Sequence, residues 1–243
     1  MNGLIIFVGE GFRLIQLGQR NIGHPAAYNE QINACYSHIS FIENIIQKYN
    51  MNSISVFISS YTTQFDNQLL SIYEKYLIGC ILHTDVIGIQ NLFHTAIQVL
   101  QSIEKYDFIF VIRIDLFLKP YFINIFDPTI NMILYPTICW KKDSIVNNHP
   151  RVNDMMLFIP KKYYNYLQNI IICHDCWSIL MKSTNLTYND MDTIINTYHD
   201  SDSFKDYNPL YYIVNREEST TFHSDGYIFD KFNFLDELTP IDY

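Results

Sequence analysis

Phe108-Ile109-Phe110-Val111-Ile112-Arg113-Ile114-Asp115 is the stretch that decides the fold. An unbroken apolar run that ends in charge fits a parallel strand buried on both faces. Three more short runs are rich in apolar residues and read the same way: Leu4–Val8, which ends at Gly9, then Ile54–Ile58 and Cys80–Val86. Helical patterns separate them. Ile32, Cys35, Ile39, Ile42, Ile46 and Tyr49 recur at three- and four-residue steps, which places them on one helix face. Leu69, Leu70, Tyr73, Tyr76 and Leu77 form a second face; Leu92, Ala96, Ile97, Leu100 and Ile103 form a third. Strands alternating with helices through short connections predict an α/β domain with a largely parallel sheet.

The second half of the chain is less regular. Met132–Cys139 and Val152–Ile159 read as strands, Lys161–Met181 as mostly helical and Asp190–Tyr198 as a short helix. Leu210–Val214 and Gly226–Phe229 read as late strands. The expectation is a single domain over 1–243, with a nucleotide-type half over 1–118 and a mixed half over 119–243. No repeat, low-complexity tract or linker interrupts it.

Composition narrows the function. Of 243 residues, 49% are hydrophobic and 17% charged, which excludes a disordered chain. The net charge is −9 and only 16 residues are Lys or Arg, which argues against a nucleic-acid partner. The 37 Ile, 22 Asn and 19 Tyr reflect an AT-rich coding sequence. No run reaches the roughly 18 apolar residues of a membrane-spanning helix. Leu4–Val8 is too short for a signal peptide, so the expected location is the cytoplasm. The five cysteines, Cys35, Cys80, Cys139, Cys173 and Cys176, are odd in number and scattered, as reduced thiols would be. Cys173 and Cys176 form a lone C-x-x-C without the second pair that structural zinc requires. The Asn185-Leu186-Thr187 sequon is then idle.

Ligands of parallel α/β sheets sit at the carboxyl ends of the strands. After the first strand comes Gly9-Glu10-Gly11-Phe12-Arg13. Its glycines allow close backbone approach, and Arg13 carries a planar fork suited to phosphate; a plain turn with a structural arginine is the alternative. Ser59 and Ser60 follow the second strand as ligand hydroxyls or as a helix cap. Arg113 and Asp115 share a face after the fourth strand. They form either an internal ion pair or a carboxylate for a divalent cation beside an anion-binding arginine. Asp154, just before an apolar run, fits a general base or a turn residue. His223 stands in a short polar cluster, His223-Ser224-Asp225-Gly226.

Gly9–Arg13, followed by Gly18-Gln19-Arg20-Asn21, resembles the opening of a glycosyltransferase-like family of large DNA viruses of algae and amoebae. There the opening resembles G-E-S-F-R, with Ser where this chain has Gly11. The likeness continues through 30–49, 106–118, 151–163 and 198–216. That family resembles the GT-A class of sugar-nucleotide transferases. The resemblance implies a Rossmann-like half for the nucleotide and a mixed α/β half for the acceptor. It implies a UDP-linked sugar donor, a glycan or glycoprotein acceptor, and Mn2+ or Mg2+ on Asp115 and His223. The class keeps D-x-D where this chain has Arg113-Ile114-Asp115. Asp154 falls where an inverting enzyme keeps its base, and Gly9, Glu10, Gly11, Arg13, Ser59, Ser60, Asn91, Arg113 and Asp115 would line the donor site. The competing expectations are a catalytically silent binder of sugar, nucleotide or protein, and a nucleotidyltransferase with Asp85 or Asp200 completing a two-metal site.

Overall fold

The computed structural model describes residues 1–16, 19–120, 122, 126–130, 133, 135–138, 145–146, 149–150, 156–169, 195–199 and 211–213. In chain order these form β1 (Asn2–Gly9), β2 (Leu14–Gln16), β3 (Gln19–Asn21), α1 (Tyr28–Lys48), β4 (Ser53–Tyr61), α2 (Asp66–Tyr73), β5 (Leu77–His83) and α3 (Gly88–Val99). Then come β6 (Phe108–Arg113), β7 (Leu116–Leu118), β8 (Tyr135–Ile138), β9 (Ile145–Val146), β10 (His149–Pro150), β11 (Met156–Pro160), a 3-10 segment (Lys161–Asn169), β12 (Ile195–His199) and β13 (Tyr211–Ile213).

The central sheet has the order β11-β6-β1-β4-β5. Neighbours are parallel except β11, which runs antiparallel on β6. The fold is mixed α/β with a mostly parallel central sheet. Alternation along β1 explains why its run is apolar throughout. Ile5 and Phe7 enter one core with Phe41, Ile42 and Ile45 of α1 and with Leu69 and Tyr73 of α2. Leu4, Ile6 and Val8 enter the other with Leu92, Phe93, Ala96 and Ile97 of α3. A strand covered on both faces has no position for a polar side chain without a partner. Among the described residues, no helix is long and apolar enough to cross a membrane.

The structure moves several expected boundaries. The strand expected at Cys80–Val86 spans Leu77–His83, because β4 offers a free edge from Val56 onward and the Val56 N–H already meets the Tyr76 carbonyl at 2.8 Å. Of the short helix expected over Asp190–Tyr198, the described residues from Ile195 on lie instead in β12, which pairs in parallel with β8. Availability of a strand partner overrides local helical spacing there. The buried face of α1 runs through Gln31, Ala34, Cys35, His38, Phe41, Ile42 and Ile45. Ile32, Ile39 and Ile46 flank that face and are only partly buried. Apolar periodicity misplaces the stripe because its centre includes buried polar residues. Most of Lys161–Met181, and all of Gly226–Phe229, lies outside the described residues.

The Phe108 ring fills the space that a side chain at Gly3 would need. A Cβ there would overlap the ring tip of Phe108, which is itself packed against Phe126 and Phe158. Gly3→Ala is therefore expected to cost about 1–3 kcal/mol by overpacking, read from urea denaturation midpoints.

Candidate active site

The winding of the sheet locates the site. From β1 the chain passes through α1 to β4 and through α2 to β5, moving to one side. Through α3, on the opposite face, it returns to β6 on the other side of β1. The direction reverses between β1 and β6, and open α/β sheets bind their ligands at the carboxyl ends of the strands at such a position.

The loop after β1 is Gly9–Arg13. Gly9 has φ 119°, a conformation open to glycine, with the Arg113 Cγ 3.9 Å from where its Cβ would be. The Ser60 hydroxyl donates to the Gly9 carbonyl at 2.8 Å, and a Cβ on Gly11 would lie 3.8 Å from the same hydroxyl. Phe12 also has a left-handed backbone, φ 54°, which costs energy for a residue with a side chain. Its fully buried ring packs on Tyr28 and Phe65, with centroids 5.8 Å and 4.8 Å away, and this packing holds the turn. Arg13 and Glu10 are both buried, and Arg13 Nη1 lies 2.7 Å from Glu10 Oε2.

The loop after β6 carries a second pair. Arg113 Nε donates to Asp115 Oδ1 at 2.9 Å and Nη2 donates to Oδ2 at 2.5 Å. This bidentate fork is the internal ion pair, the first of the two alternatives open from sequence. Asp115 is 2% exposed and Arg113 7%. The two loops are adjacent: Val8 is in register with Arg113, and the Ile114 N–H donates to the Val8 carbonyl at 2.8 Å.

Helix α1 braces this second loop with polar side chains that sequence reading passed over. Gln31 Nε2 donates to the Ile114 carbonyl at 2.7 Å. The Leu118 N–H donates to the Ser37 hydroxyl at 3.0 Å. His38 Nε2 lies 2.6 Å from the Leu116 carbonyl, which can only accept, so this nitrogen carries the proton. His38 Nδ1 therefore accepts from the Tyr73 hydroxyl at 2.6 Å. Burial pushes the His38 pKa down to about 4, against the opposing pull of the Leu116 carbonyl and Asp115. Burial likewise raises the Cys35 thiol to about 11 and moves the Tyr73 phenol well above its usual range. These groups are neutral braces. The signal for them in the sequence was their position: Gln31 and His38 sit seven residues apart on the α1 stripe.

The structure thus gathers Gly9, Glu10, Gly11, Arg13, Ser60, Arg113 and Asp115 at the ends of three adjacent strands. Ser59 faces the other side of the sheet, where its hydroxyl donates to the Leu92 carbonyl at 2.8 Å and ties α3 to β4. Asn91 is exposed in the first turn of α3, and its amide donates to Ile87 at 2.7 Å. Asp154, His223, Asp200 and the pair Cys173 and Cys176 lie outside the described residues. Asp85 follows β5, three strand spacings from β6, or roughly 14 Å.

Of the two metal ligands that the resemblance implies, only Asp115 is among the described residues. A divalent cation needs several oxygen ligands. Each Asp115 oxygen accepts one bond from Arg113. Among the described residues, no group of three or more His, Cys, Asp or Glu converges.

The sequence matches no protein-family model and no curated protein. Solved structures are similar in architecture. The inositol-1-phosphate CTP transferase from T. maritima is 10% identical at a TM-score of 0.45, covering 92% of this chain and 93% of that one. A putative nucleotide-diphospho-sugar transferase from Desulfovibrio desulfuricans G20 is 11% identical at 0.40, covering 82% and 80%. The catalytic domain of Drosophila beta1,4galactosyltransferase 7, solved with xylobiose, is 8% identical at 0.40, covering 81% and 63%. These likenesses assign neither substrate nor activity to this chain.

Proposed function

We propose that the chain is a glycosyltransferase that takes a sugar from a UDP-linked donor and passes it to a hydroxyl of a glycan acceptor. The observation that carries this reading is the pair of buried guanidiniums, Arg13 and Arg113, on the two loops where the sheet winding reverses. Each is held by its own carboxylate, Glu10 or Asp115. A planar guanidinium suits phosphate oxygens, and a partner carboxylate keeps it in place before the ligand arrives. Fixed positive charge aimed at a departing diphosphate lowers the barrier without reorganisation during the reaction.

In this reading the acceptor oxygen forms a bond to the anomeric carbon as the bond from that carbon to the diphosphate oxygen breaks. The electron pair leaves on the diphosphate. Asp154 takes the acceptor proton, and a single displacement inverts the centre. A cation on Asp115 and His223 is another way of meeting the diphosphate charge, and it would share Asp115 with Arg113. With the fork closed, Arg113 supplies that charge.

The test is a thermal-shift titration of UDP, in EDTA and in Mn2+. UDP at a hundred times its Kd is expected to add about 2.7 kcal/mol of stability in either buffer. A shift confined to Mn2+ would transfer the charge role from Arg113 to a metal. No shift with any nucleoside diphosphate would overturn the reading. Binding of UDP-sugars without transfer or hydrolysis would make the chain a binding module.

A further inference from the structure

We propose that Gln31 is the positioning residue of this site, a buried clamp that sets the span between the Arg13 and Arg113 guanidiniums. The proposal rests on the nucleotide-diphosphate reading for its ligand but not for its geometry. One side-chain amide joins the two loops. The Phe12 N–H donates to Gln31 Oε1 at 3.1 Å, and Gln31 Nε2 donates to the Ile114 carbonyl at 2.7 Å. The orientation of the amide is forced, because Phe12 N–H can only donate and the Ile114 carbonyl can only accept.

Both contacts fall beside the working residues. Phe12 directly precedes Arg13, and Ile114 lies between Arg113 and Asp115. The ladder between β1 and β6 reaches as far as the Ile114 N–H on Val8. Past that point Gln31 carries the connection between the two loops. It is 0% exposed, so water does not compete for either bond. Phe12 needs such a hold, since its left-handed backbone is unfavourable without one. A diphosphate bridging both guanidiniums senses the span between them. A monophosphate resting on one does not.

The experiment compares the full chain with Gln31→Leu and Gln31→Glu. Amide exchange without ligand reads the clamp itself. Gln31→Leu is expected to speed exchange at Phe12 and across 114–116 together, with Ser53–Tyr61 unchanged. Response of only one loop, or of neither, would overturn the clamp. Titration with UDP and UMP then reads its consequence. Gln31→Leu is expected to weaken UDP by about tenfold, the equivalent of one hydrogen bond of ordinary strength, and to leave UMP nearly unchanged. Equal weakening of both would reduce Gln31 to a general structural role and overturn the proposal. In Gln31→Glu the introduced carboxyl can donate to Ile114 only when protonated. Its UDP affinity relative to the unsubstituted protein is therefore expected to recover as pH falls; a flat ratio counts against the clamp. If the unsubstituted protein binds no UDP, the nucleotide reading fails while the exchange data still decide the clamp.

Discussion

Arg113→Met should destabilise the protein by about 3–5 kcal/mol, because it removes the guanidinium from which both oxygens of the buried Asp115 carboxylate accept. The side chain of Asp115 is 2% exposed and both its oxygens accept from Arg113, so water cannot replace the lost bonds. The double variant Arg113→Met with Asp115→Leu removes both charges and is expected to regain most of that stability, since apolar replacements of buried ion pairs often cost little. UDP binding should be lost in both. Urea denaturation and UDP titration of the two variants separate the roles. If the stable double variant still bound UDP with undiminished affinity, Arg113 would be an architectural residue and the donor site would lie elsewhere.

The second large effect is a pH dependence centred on His38. The free imidazole titrates near 6.5, and in the folded chain burial lowers it to about 4. Between these values the unfolded chain binds a proton that the folded chain refuses, so folding stability falls as pH falls. The contribution is complete above pH 6.5 and is lost progressively down to about pH 4, amounting to about 3 kcal/mol. The ring faces Tyr73 on α2, the Leu116 carbonyl on β7 and the Phe7 ring on β1, stacked 4.4 Å away. None of these gives a protonated imidazole an anionic contact, and the pull of Asp115 is the smallest of the named causes. His38→Gln keeps a donor for Leu116 and an acceptor for Tyr73 but does not titrate. Its stability should fall less steeply than that of the unsubstituted protein between pH 6.5 and 4. Parallel slopes would show that His38 is not the titrating group.

The same residues mark where the sequence was legible. Leu4–Val8, Ile54–Ile58 and Phe108–Ile112 could be read as buried parallel strands because a strand covered on both faces is nearly all apolar. The loops after them could be read as site candidates because charge and glycine at such strand ends are costly without a use. Arg113 and Asp115 were identifiable, but not as partners. Two charges on one face can pair with each other or turn to a ligand, and spacing does not choose between these. Gln31, Ser37 and His38 were missed for a related reason. A polar residue on a helix reads as solvent-facing unless its hydrogen-bond partners are known, and these partners lie 81 to 83 residues away for Gln31 and Ser37.

By itself, then, the sequence determined the α/β class and the parallel strands, and it nominated the loops after them as site candidates. These follow from local periodicity and the cost of burying charge. Only the tertiary structure decided that Ser59 braces α3 while Ser60 faces the loop after β1. Only it showed that Asp115 closes on Arg113, and that one amide from α1 joins the two loops. Those choices depend on which strands become neighbours, and strand order is set by packing across the whole sheet, beyond the reach of any local pattern.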